Sequence, residues 1–405
     1  MARELSVQCC IAGGGPAGMM LGLLLARAGC DVAVLEKHAD FLRDFRGDTI
    51  HPSTLEVMSE LGLLEEFLRR PHDRVEELAG DVGGERVVLA DFRRVPTRCK
   101  FLALMPQWDF LDFLSGHARR LPAFRQEMQA EAEDLTVEQG RVVGLRARTM
   151  QGELAVRAQL VVAADGRHST LRERGGLETE VLGAPMDVLW MRLPREPGDP
   201  DETFGHLEPG AMFVMLNRRE YWQCAYVIPK GSYEELRARG LEKFREDVAA
   251  MSPFLGDRVG ELRSWDDVKL LTVAVDRLRR WWRPGLLCIG DAAHAMSPIG
   301  GVGINLAIQD AVAAANILAA PLRAGTLRDA DLAAVQRRRE FPTRVTQALQ
   351  IAVQNRVISR VLARRGGRLQ VPLFMQMLQR FPALRTIPAR LIGVGVRPEH
   401  VGAKR

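Results

Sequence analysis

The stretch from Val7 to Glu36, VQCCIAGGGPAGMMLGLLLARAGCDVAVLE, decides the fold. Two β-rich segments, Val7 to Ala12 and Asp31 to Leu35, flank a segment of small residues and leucines from Pro16 to Ala28, which is typical of a helix. A strand, a helix and a second strand at this spacing form a βαβ unit, whose strands lie parallel. The sequence therefore predicts an α/β fold that begins with a parallel sheet.

The turn between the first strand and the helix carries the pattern GxGxxG. Gly13 permits the tight turn, Gly15 lets the backbone approach a pyrophosphate, and Gly18 allows the helix to pack closely on the strand. Pro16 fits the first helical turn, where its missing N–H has no partner to lose. Glu36 ends the second strand, 18 residues after Gly18, where a carboxylate can bind both ribose hydroxyls. This predicts a dinucleotide site for FAD or NAD rather than NADP, because a free carboxylate disfavours a 2′-phosphate.

Two later stretches carry further turn and helix signals. The second begins at Asp165 and reads DGRHSTLR after an apolar strand; by itself, an Asp-Gly pair is also typical of any tight turn. The third reads GDAAH from Gly290, reaches Pro298 and continues as GGVGIN into a helix. It offers a second helix N-terminus to a ligand, and Asp291 can hydrogen-bond a polyol.

Together these stretches resemble the class A flavoprotein monooxygenases, the p-hydroxybenzoate-hydroxylase-like family. The shared features are GxGxxG with a distal glutamate, DGxxSxxR and GDAAHxxxP, in this order, and the resemblance covers roughly residues 7–365. Arg46 before one helix and Gln107 before another match two further FAD contacts of that family. The resemblance implies a Rossmann-like FAD-binding domain interleaved with a smaller mixed-sheet substrate domain, with a helical C-terminus.

The resemblance also assigns residues to a tightly bound FAD. It places the pyrophosphate on the glycine turn, the adenosine ribose at Glu36, the ribityl chain at Asp291 and the flavin ring beside Pro298. The loop of Asp165 is implicated in NAD(P)H use. The implied cofactor-binding residues are Gly13, Gly15, Pro16, Ala17, Gly18, Glu36, Lys37, Arg46, Gln107, Asp165, Asp291, Pro298, Gly301, Gly303, Ile304 and Asn305, the last two through their backbone N–H groups.

The implied reaction is an NAD(P)H-dependent monooxygenation. NADPH or NADH binds transiently and reduces the FAD, and a flavin C4a-hydroperoxide then hydroxylates or epoxidises a small or medium aromatic or quinone-like substrate. The cofactor carries the chemistry, while the protein positions the reacting groups and excludes water. Pro298 and His51 are the candidate catalytic residues. His51 either acts on a phenolic proton near neutral pH or is a helix-entry residue.

The domains are predicted to interleave along the chain. The FAD-binding parts are residues 1–78, 105–180 and 276–365, the substrate domain takes 79–104 and 181–275, and a helical segment follows at 366–405. The apolar end, from Leu369 to Val396, either rests on a membrane surface or covers the active site or a subunit contact, and covering is favoured. Ser53 and Glu56 form a capping-box pattern after His51-Pro52, which predicts a helix start there.

Substrate contacts are expected from the strands of the middle sheet. Because side chains alternate along a strand, Tyr221 shares one side with Gln223. In the same way, Trp190 and Arg192 share another. Sheet packing is the alternative role for each. The substrate candidates are Trp190, Arg192, Phe213, Tyr221 and Gln223.

Composition and charge indicate which other classes of function the chain is not expected to have. The 405 residues carry a net charge of +5 that is spread along the chain, which disfavours a nucleic-acid footprint. The stretch Arg277 to Arg283 alternates basic and aromatic residues as a single-strand platform would, although a packed loop is favoured. The six cysteines form no CxxC pair, so we expect no metal and a reducing cytoplasmic compartment, with Cys9 and Cys10 as core residues.

The apolar run from Gly301 to Leu322 is interrupted by Asn305, Gln309 and Asp310, so no stable membrane insertion is predicted. The expected partners are a small aromatic molecule and O2, without nucleic acid, and the protein is expected to be a monomer or homodimer. Three alternatives remain: a flavin-dependent reductase of isoprenoid double bonds, a halogenase, which the absence of a GWxWxIP segment disfavours, and a flavin-binding sensor without turnover.

Overall fold

The computed structural model describes residues 3–42, 49–201, 203–364, 366 and 369–402. The fold is of the mixed α/β class, as predicted. The strands are β1 (Arg3–Ala12), β2 (Val32–Glu36), β3 (Thr49–Ile50), β4 (Asp73–Val75), β5 (Glu77–Val82), β6 (Glu85–Asp91), β7 (Leu102–Leu104), β8 (Phe124–Met128), β9 (Ala130–Glu138), β10 (Arg141–Thr149), β11 (Gly152–Ala163), β12 (Thr179–Val181), β13 (Met186–Pro194), β14 (Phe204–Glu208), β15 (Ala211–Asn217), β16 (Tyr221–Pro229), β17 (Lys269–Leu271), β18 (Asp276–Leu278), β19 (Trp282–Arg283) and β20 (Leu286–Cys288). The helices are α1 (Pro16–Arg27), α2 (Pro52–Glu60), α3 (Leu64–Phe67), α4 (Gln107–Ala118), α5 (Thr170–Arg174), α6 (Tyr233–Ala238), α7 (Leu241–Met251), α8 (Gly303–Ala324), α9 (Asp329–Val353), α10 (Ser359–Ala363), α11 (Leu373–Arg380) and α12 (Thr386–Gly393).

The first sheet brings the three sequence motifs to one edge. Its strand order is β19-β20-β11-β1-β2-β8, extended by β10 and β9. β1 pairs in parallel with β11, so that Ala12 lies beside Ala163, and β11 pairs in parallel with β20, so that Ala163 lies beside Cys288. Because parallel strands end at the same edge, the turns that follow these three residues are neighbours. In open parallel sheets, ligands bind at this edge.

The second sheet has seven strands in the order β17-β13-β16-β15-β14-β5-β6. Side chains alternate between its two faces. On the outer face, Phe213 and Trp222 pack with Phe244 of α7. On the inner face, Val188 and Ala225 pack with residues that follow the third motif. β5 and β6 come from a part of the chain well before the other strands, so the two sheets interleave.

A helix begins at Pro52, as predicted, but Ser53 and Glu56 do not form the predicted capping box. Pro52 is the first residue of α2, so the preceding residue His51 is the N-cap, without a side-chain cap hydrogen bond. The Ser53 hydroxyl donates instead to Oδ1 of Asn305 at 2.6 Å, and Glu56 accepts from the amide of Arg98 at 2.9 Å. Proline fixed the helix start one residue earlier than the pattern implied.

Two helical regions of the chain are interrupted. Helices α6 and α7 are separated at Gly240, which has a φ of +90°. Helix α9 is followed by a π-helical turn at Gln354–Ile358, which leads directly into α10.

The long apolar helix and the last residues of the chain pack on the first sheet's domain, whereas α11 and α12 contact β6 of the second sheet. Ile299–Ala324 is long and apolar enough to cross a membrane by length and composition, but 78% of its apolar window is buried inside the protein, as in a core helix. Near the end of the chain, Glu399 accepts hydrogen bonds from Arg338 at 2.7 Å and Arg339 at 3.4 Å. The end of the chain is therefore tied back onto α9. Trp281, within the basic and aromatic stretch, is fully buried, in agreement with the favoured packed loop.

Candidate cofactor and substrate site

The glycine turn after β1 forms an open cradle. Gly13 has a φ of +107°, and a Cβ there would lie 2.2 Å from the carbonyl oxygen of Ala164. A Cβ on Gly18 would lie 1.9 Å from the carbonyl oxygen of Gly13, so helix and turn touch. Gly15 differs, because nothing among the described residues lies within 4 Å of its Cβ position. The backbone at Gly15 therefore faces space that a phosphate group can occupy.

The N-terminus of α1 points its free amides at this cradle. The amide of Met19 donates to the carbonyl of Gly15 at 2.9 Å, so the amides of Ala17 and Gly18 precede that helical bond. Pro16 is the first helical residue and the first turn carries no acidic side chain. The positive end of the helix is therefore left for an anionic ligand.

Glu36 is a buried carboxylate beside the turn. Its Oε2 accepts from the amide of Gly14 at 3.0 Å, and its Oε1 accepts from the amide of His38 at 3.0 Å. These bonds fix the carboxylate beside the glycine turn, at the position where the family resemblance places the adenosine ribose. Lys37 is exposed next to it.

The second and third motifs meet at the same edge. Oδ2 of Asp165 accepts from the amide of Leu171 at 3.3 Å, whereas its buried Oδ1 has no partner among the described residues. Burial raises the pKa of Asp165, against the hydrogen bond of Ser169, which lowers it. Arg167 of the second motif lies 3.9 Å from Asp291 of the third. The edge thus presents carboxylates that can accept hydrogen bonds from the hydroxyls of a polyol chain.

The loop after Pro298 ends in a second set of free amides. Gly301 has a φ of +62°, and the amide of Leu306 donates to the carbonyl of Val302 at 3.0 Å, so the amides of Gly303 and Ile304 precede that bond. α8 has no acidic residue in its first turn. Its positive end can therefore stabilise negative charge on a ring placed before it.

Asn305 joins this helix end to α2. Its Oδ1 accepts from the hydroxyls of Ser53 at 2.6 Å and Thr54 at 2.9 Å. The side-chain oxygen is therefore engaged in holding α2. Gln107 is the first residue of α4 and is half-buried. Arg46 lies outside the described residues.

His51 is buried between main-chain carbonyls. Its Nδ1 lies 2.8 Å from the carbonyl oxygen of Ile392, and its Nε2 lies 3.0 Å from that of Gly301. Burial lowers the pKa of His51 to about 4, against these carbonyl contacts, which raise it. Since both ring nitrogens face the main chain, this geometry favours the helix-entry alternative, with His51 fixing the loop of Gly301, over direct proton transfer to a substrate.

Four of the five substrate candidates lie together on the inner face. Arg192 is opposite Gln223 in the pairing of β13 with β16, and its guanidinium lies 4.9 Å from the ring centroid of Tyr221. Trp190 packs against the same buried cluster as Ile299, the residue after Pro298. All four therefore share one side, because directly paired residues point to the same face.

Phe213 lies on the opposite side of the sheet, so its prediction as a substrate contact was wrong. It is fully buried in the outer-face cluster, with its ring centroid 6.0 Å from that of Tyr226. β15 alternates like its neighbours, and the residue that reaches the inner face there is Val214.

Sequence reasoning missed Arg218 and the partners of His294. Arg218 is buried in the turn between β15 and β16, and its Nε donates to Oε1 of Gln223 at 3.1 Å. Asp310 and Arg339 are buried beside His294 in the third motif. The available signal was a charged residue, Asp310, within an otherwise apolar helix.

Comparison with known proteins places this site in a family. The sequence profile of the FAD binding domain family matches residues 6–349. The chain is also 34% identical over 392 residues to 6-methylpretetramide 4-monooxygenase of Streptomyces rimosus, covering 94% of this chain and 91% of that protein. The chain belongs to the class A FAD-dependent aromatic hydroxylases.

Two further similar proteins share less sequence identity with the chain. Rifampicin monooxygenase of Streptomyces venezuelae is 31% identical over 320 residues, which cover 74% of this chain and 61% of that protein. The crystal structure of PqsL, a probable FAD-dependent monooxygenase of Pseudomonas aeruginosa, superposes with a TM-score of 0.74 at 24% identity, covering 88% of this chain and 98% of the other. At this identity the likeness shows the fold.

The residues of this FAD-dependent monooxygenase fit its cofactor. The open cradle at Gly15, the free amides of α1 and α8, and the buried carboxylate of Glu36 lie along one sheet edge, where the pyrophosphate, ring and ribose of one FAD have matching partners. The residues that would hold FAD are therefore those named above for the described part of the chain.

Proposed function

We propose that this monooxygenase uses NADPH or NADH and O2 to hydroxylate a small or medium phenolic aromatic compound. The balanced reaction consumes the aromatic, O2, NAD(P)H and one proton, and it yields the hydroxylated aromatic, water and NAD(P)⁺. One oxygen atom enters a C–O bond in place of C–H, and the other leaves as water. FAD, when bound, supplies the acceptance of a hydride and the activation of oxygen.

The observation that carries the proposal is the position of the inner face. Trp190 and Ile299 both pack against the same buried cluster, so the inner face adjoins the loop that leads from Pro298 to α8. An aromatic ring held between this face and the flavin would contact Trp190, while its polar substituents would reach Arg192 and Gln223. Aromatic side chains and a few fixed polar groups are what such a pocket needs.

We propose that the protein's own side chains bind the substrate and exclude water, and that they do not exchange protons with the substrate. The buried His51 has a pKa of about 4 and faces two carbonyls, so it is neutral at physiological pH. The free amides at the start of α8 stabilise negative charge on the ring system. A phenolic substrate then contributes its own electron-rich carbon, and the pocket fixes which carbon meets the reactive oxygen.

The substrate class is supported by the relatives. The relative that matches nearly the whole chain carries 6-methylpretetramide 4-monooxygenase as its name, and para-nitrophenol 4-monooxygenase of a Pseudomonas strain is 24% identical over 340 residues. Both names describe ring positions that receive oxygen. We therefore propose phenols of one to several fused rings as the substrate class.

The test is anaerobic reduction of the FAD-loaded protein by NADPH and by NADH, with and without a panel of phenols. We expect one of the two nicotinamides, together with one phenol class, to accelerate bleaching of the flavin band, and an oxygen pulse to give hydroxylated phenol. A protein whose flavin is reduced by neither nicotinamide with any phenol would instead fit the sensor or a reductase with another donor.

A further inference from the structure

Helix α9 and the π-helical turn that follows it carry a stripe of polar side chains that is buried rather than exposed. Its members follow each other at three or four residues, which places them on one side of the helix. Each has at most 5% of its surface exposed. Burying polar groups costs free energy unless they are hydrogen-bonded, so their partners reveal their role. The stripe, hereafter the polar stripe, consists of Arg339, Thr343, Gln347, Gln350 and Gln354.

The three glutamines of the polar stripe bind the segment that precedes α8. Nε2 of Gln347 donates to the carbonyls of Asp276 at 2.7 Å and Ala295 at 3.1 Å. Nε2 of Gln350 donates to the carbonyls of Ser297 at 3.0 Å and Ile299 at 2.9 Å. In return, the amide of Ser297 donates to Oε1 of Gln350 at 3.2 Å.

Gln354, the last member of the polar stripe, binds the same segment through the side chain of Ser297. Its Nε2 donates to Oγ of Ser297 at 2.8 Å, and the same Oγ accepts from the amide of Ile299 at 3.3 Å. The π-helical turn of α9 begins at Gln354 and brings Ile358 into the inner-face cluster with Ile299. π-helical turns are often found at functional sites.

The bound segment is the one that the family resemblance places beside the flavin ring. Residues 295–301, hereafter the ring loop, contain Pro298 and lead into the free amides of α8. On one side the glutamines hold its start, and on the other His51 contacts the carbonyl of Gly301 at 3.0 Å. A loop with two positive-φ glycines, Gly300 and Gly301, has little conformational preference of its own. Its shape therefore depends on these side chains.

We infer that Gln350 and Gln354 are positioning residues that set the conformation of the ring loop, and with it the affinity and electronic environment of FAD. The inference rests on FAD binding and not on the proposed aromatic substrate. Neither side chain is needed to touch the cofactor. Each acts through the main chain or hydroxyl of the ring loop.

The test compares Gln350→Met with Gln376→Met in the full-length protein. Methionine keeps the length of the side chain and removes its hydrogen bonds. Gln376 is an exposed glutamine on α11 that donates to the carbonyl of Val371 at 2.7 Å, so it controls for the loss of such a bond elsewhere. The readouts are the FAD dissociation constant, from quenching of flavin fluorescence, and the visible circular dichroism of the bound flavin.

We expect Gln350→Met to raise the FAD dissociation constant about tenfold and to alter the visible dichroism, with Gln376→Met unchanged. A Gln350→Met protein that is folded and retains the wild-type affinity and dichroism would overturn the inference, even if its melting temperature fell. Because both readouts need FAD alone, they are independent of whether any phenol is a substrate.

If Gln350→Met does not fold, a double-mutant cycle decides. Gln354→Met and Ser297→Ala remove the same bond from its two ends. We expect each to weaken FAD binding and the pair together to weaken it by less than the product of the two fold-changes, since the shared bond is lost only once. Fold-changes that multiply independently, or unchanged FAD binding in both single variants, would overturn the inference.

Discussion

Nε2 of His294 lies 2.6 Å from Oδ2 of Asp310, and both side chains are buried. The amide of Gly290 donates to the same oxygen at 3.0 Å, and Nε of Arg339 donates to Oδ1 at 2.9 Å. Burial acts to raise the pKa of Asp310, but His294 and Arg339 outweigh it and hold that pKa below its usual value. One ionised carboxylate therefore joins the GDAAH turn to helices α8 and α9.

Removing the arginine from this cluster should be costly. Arg339→Met leaves the buried Asp310 with one cationic neighbour fewer and releases Glu399, so we expect the free energy of unfolding to fall by about 3–5 kcal/mol. Urea denaturation followed by tryptophan fluorescence measures it. Arg344→Met, which breaks an exposed pair with Glu340, should change it by less than about 1 kcal/mol. Equal effects of the two variants would contradict the account.

Two substitutions in the glycine turn should affect FAD binding and the stability of the fold separately. Gly15→Ala places a methyl group in open space at an ordinary φ of −73°, so the unfolding free energy of the FAD-free protein should change by less than about 0.5 kcal/mol. FAD affinity should fall about tenfold or more, because the methyl group fills the phosphate cradle. Gly18→Ala, whose methyl group would meet the carbonyl of Gly13, should instead destabilise the fold by about 1–3 kcal/mol. Fluorescence quenching by FAD and urea denaturation give the two quantities, and unchanged FAD affinity in Gly15→Ala would contradict the cradle.

His51 should make stability depend on pH in mild acid. Its folded-state pKa of about 4 lies below the usual histidine value of about 6.5, so its contribution is full above pH 6.5 and is lost as the pH falls from 6.5 towards 4. His51→Gln should flatten the decline of the unfolding free energy over this window, whereas His168→Gln, at an exposed position, should leave the decline unchanged. Denaturation curves at a series of pH values measure it. An unflattened decline in His51→Gln would show that the imidazole is already charged in the fold.

The two faces of the second sheet should respond differently to substitution. Arg192→Met changes the inner face, so we expect the KM for the best phenol to rise about tenfold while FAD affinity is unchanged. Phe213→Leu on the outer face should cost about 1–2 kcal/mol of unfolding free energy and leave KM unchanged. Steady-state oxidation of NAD(P)H with the phenol varied gives KM. A raised KM in Phe213→Leu, with none in Arg192→Met, would reverse the assignment of the faces.

The first sheet was predictable because its signals are local. The turn that needs Gly13, the helix start at Pro16 and the carboxylate of Glu36 all lie within one βαβ unit. Their positions in the fold therefore follow directly from their spacing in the sequence. The alignment of Ala12, Ala163 and Cys288 then follows from parallel pairing. The capping box failed for an equally local reason, since a proline overrides the serine one residue later.

The substrate side was less predictable because it depends on strand register. Alternation shows that Trp190 and Arg192 share a side, but only the pairing of Arg192 with Gln223 shows that both strands use the same side. Side chains also alternate along β15, where Phe213 points to the outer face and its neighbour Val214 to the inner face. In the same way, Asp310 and Arg339 are 29 residues apart and meet only when α8 packs on α9.

The most direct test of the central claim is turnover of the FAD-loaded protein under ¹⁸O2 with NAD(P)H and its best phenol, followed by mass spectrometry of the product. We predict one ¹⁸O atom in each hydroxylated product molecule and one NAD(P)H consumed for it. Product that carries oxygen from water, or NAD(P)H oxidation that yields only hydrogen peroxide with every phenol tested, would contradict the assignment as an aromatic monooxygenase.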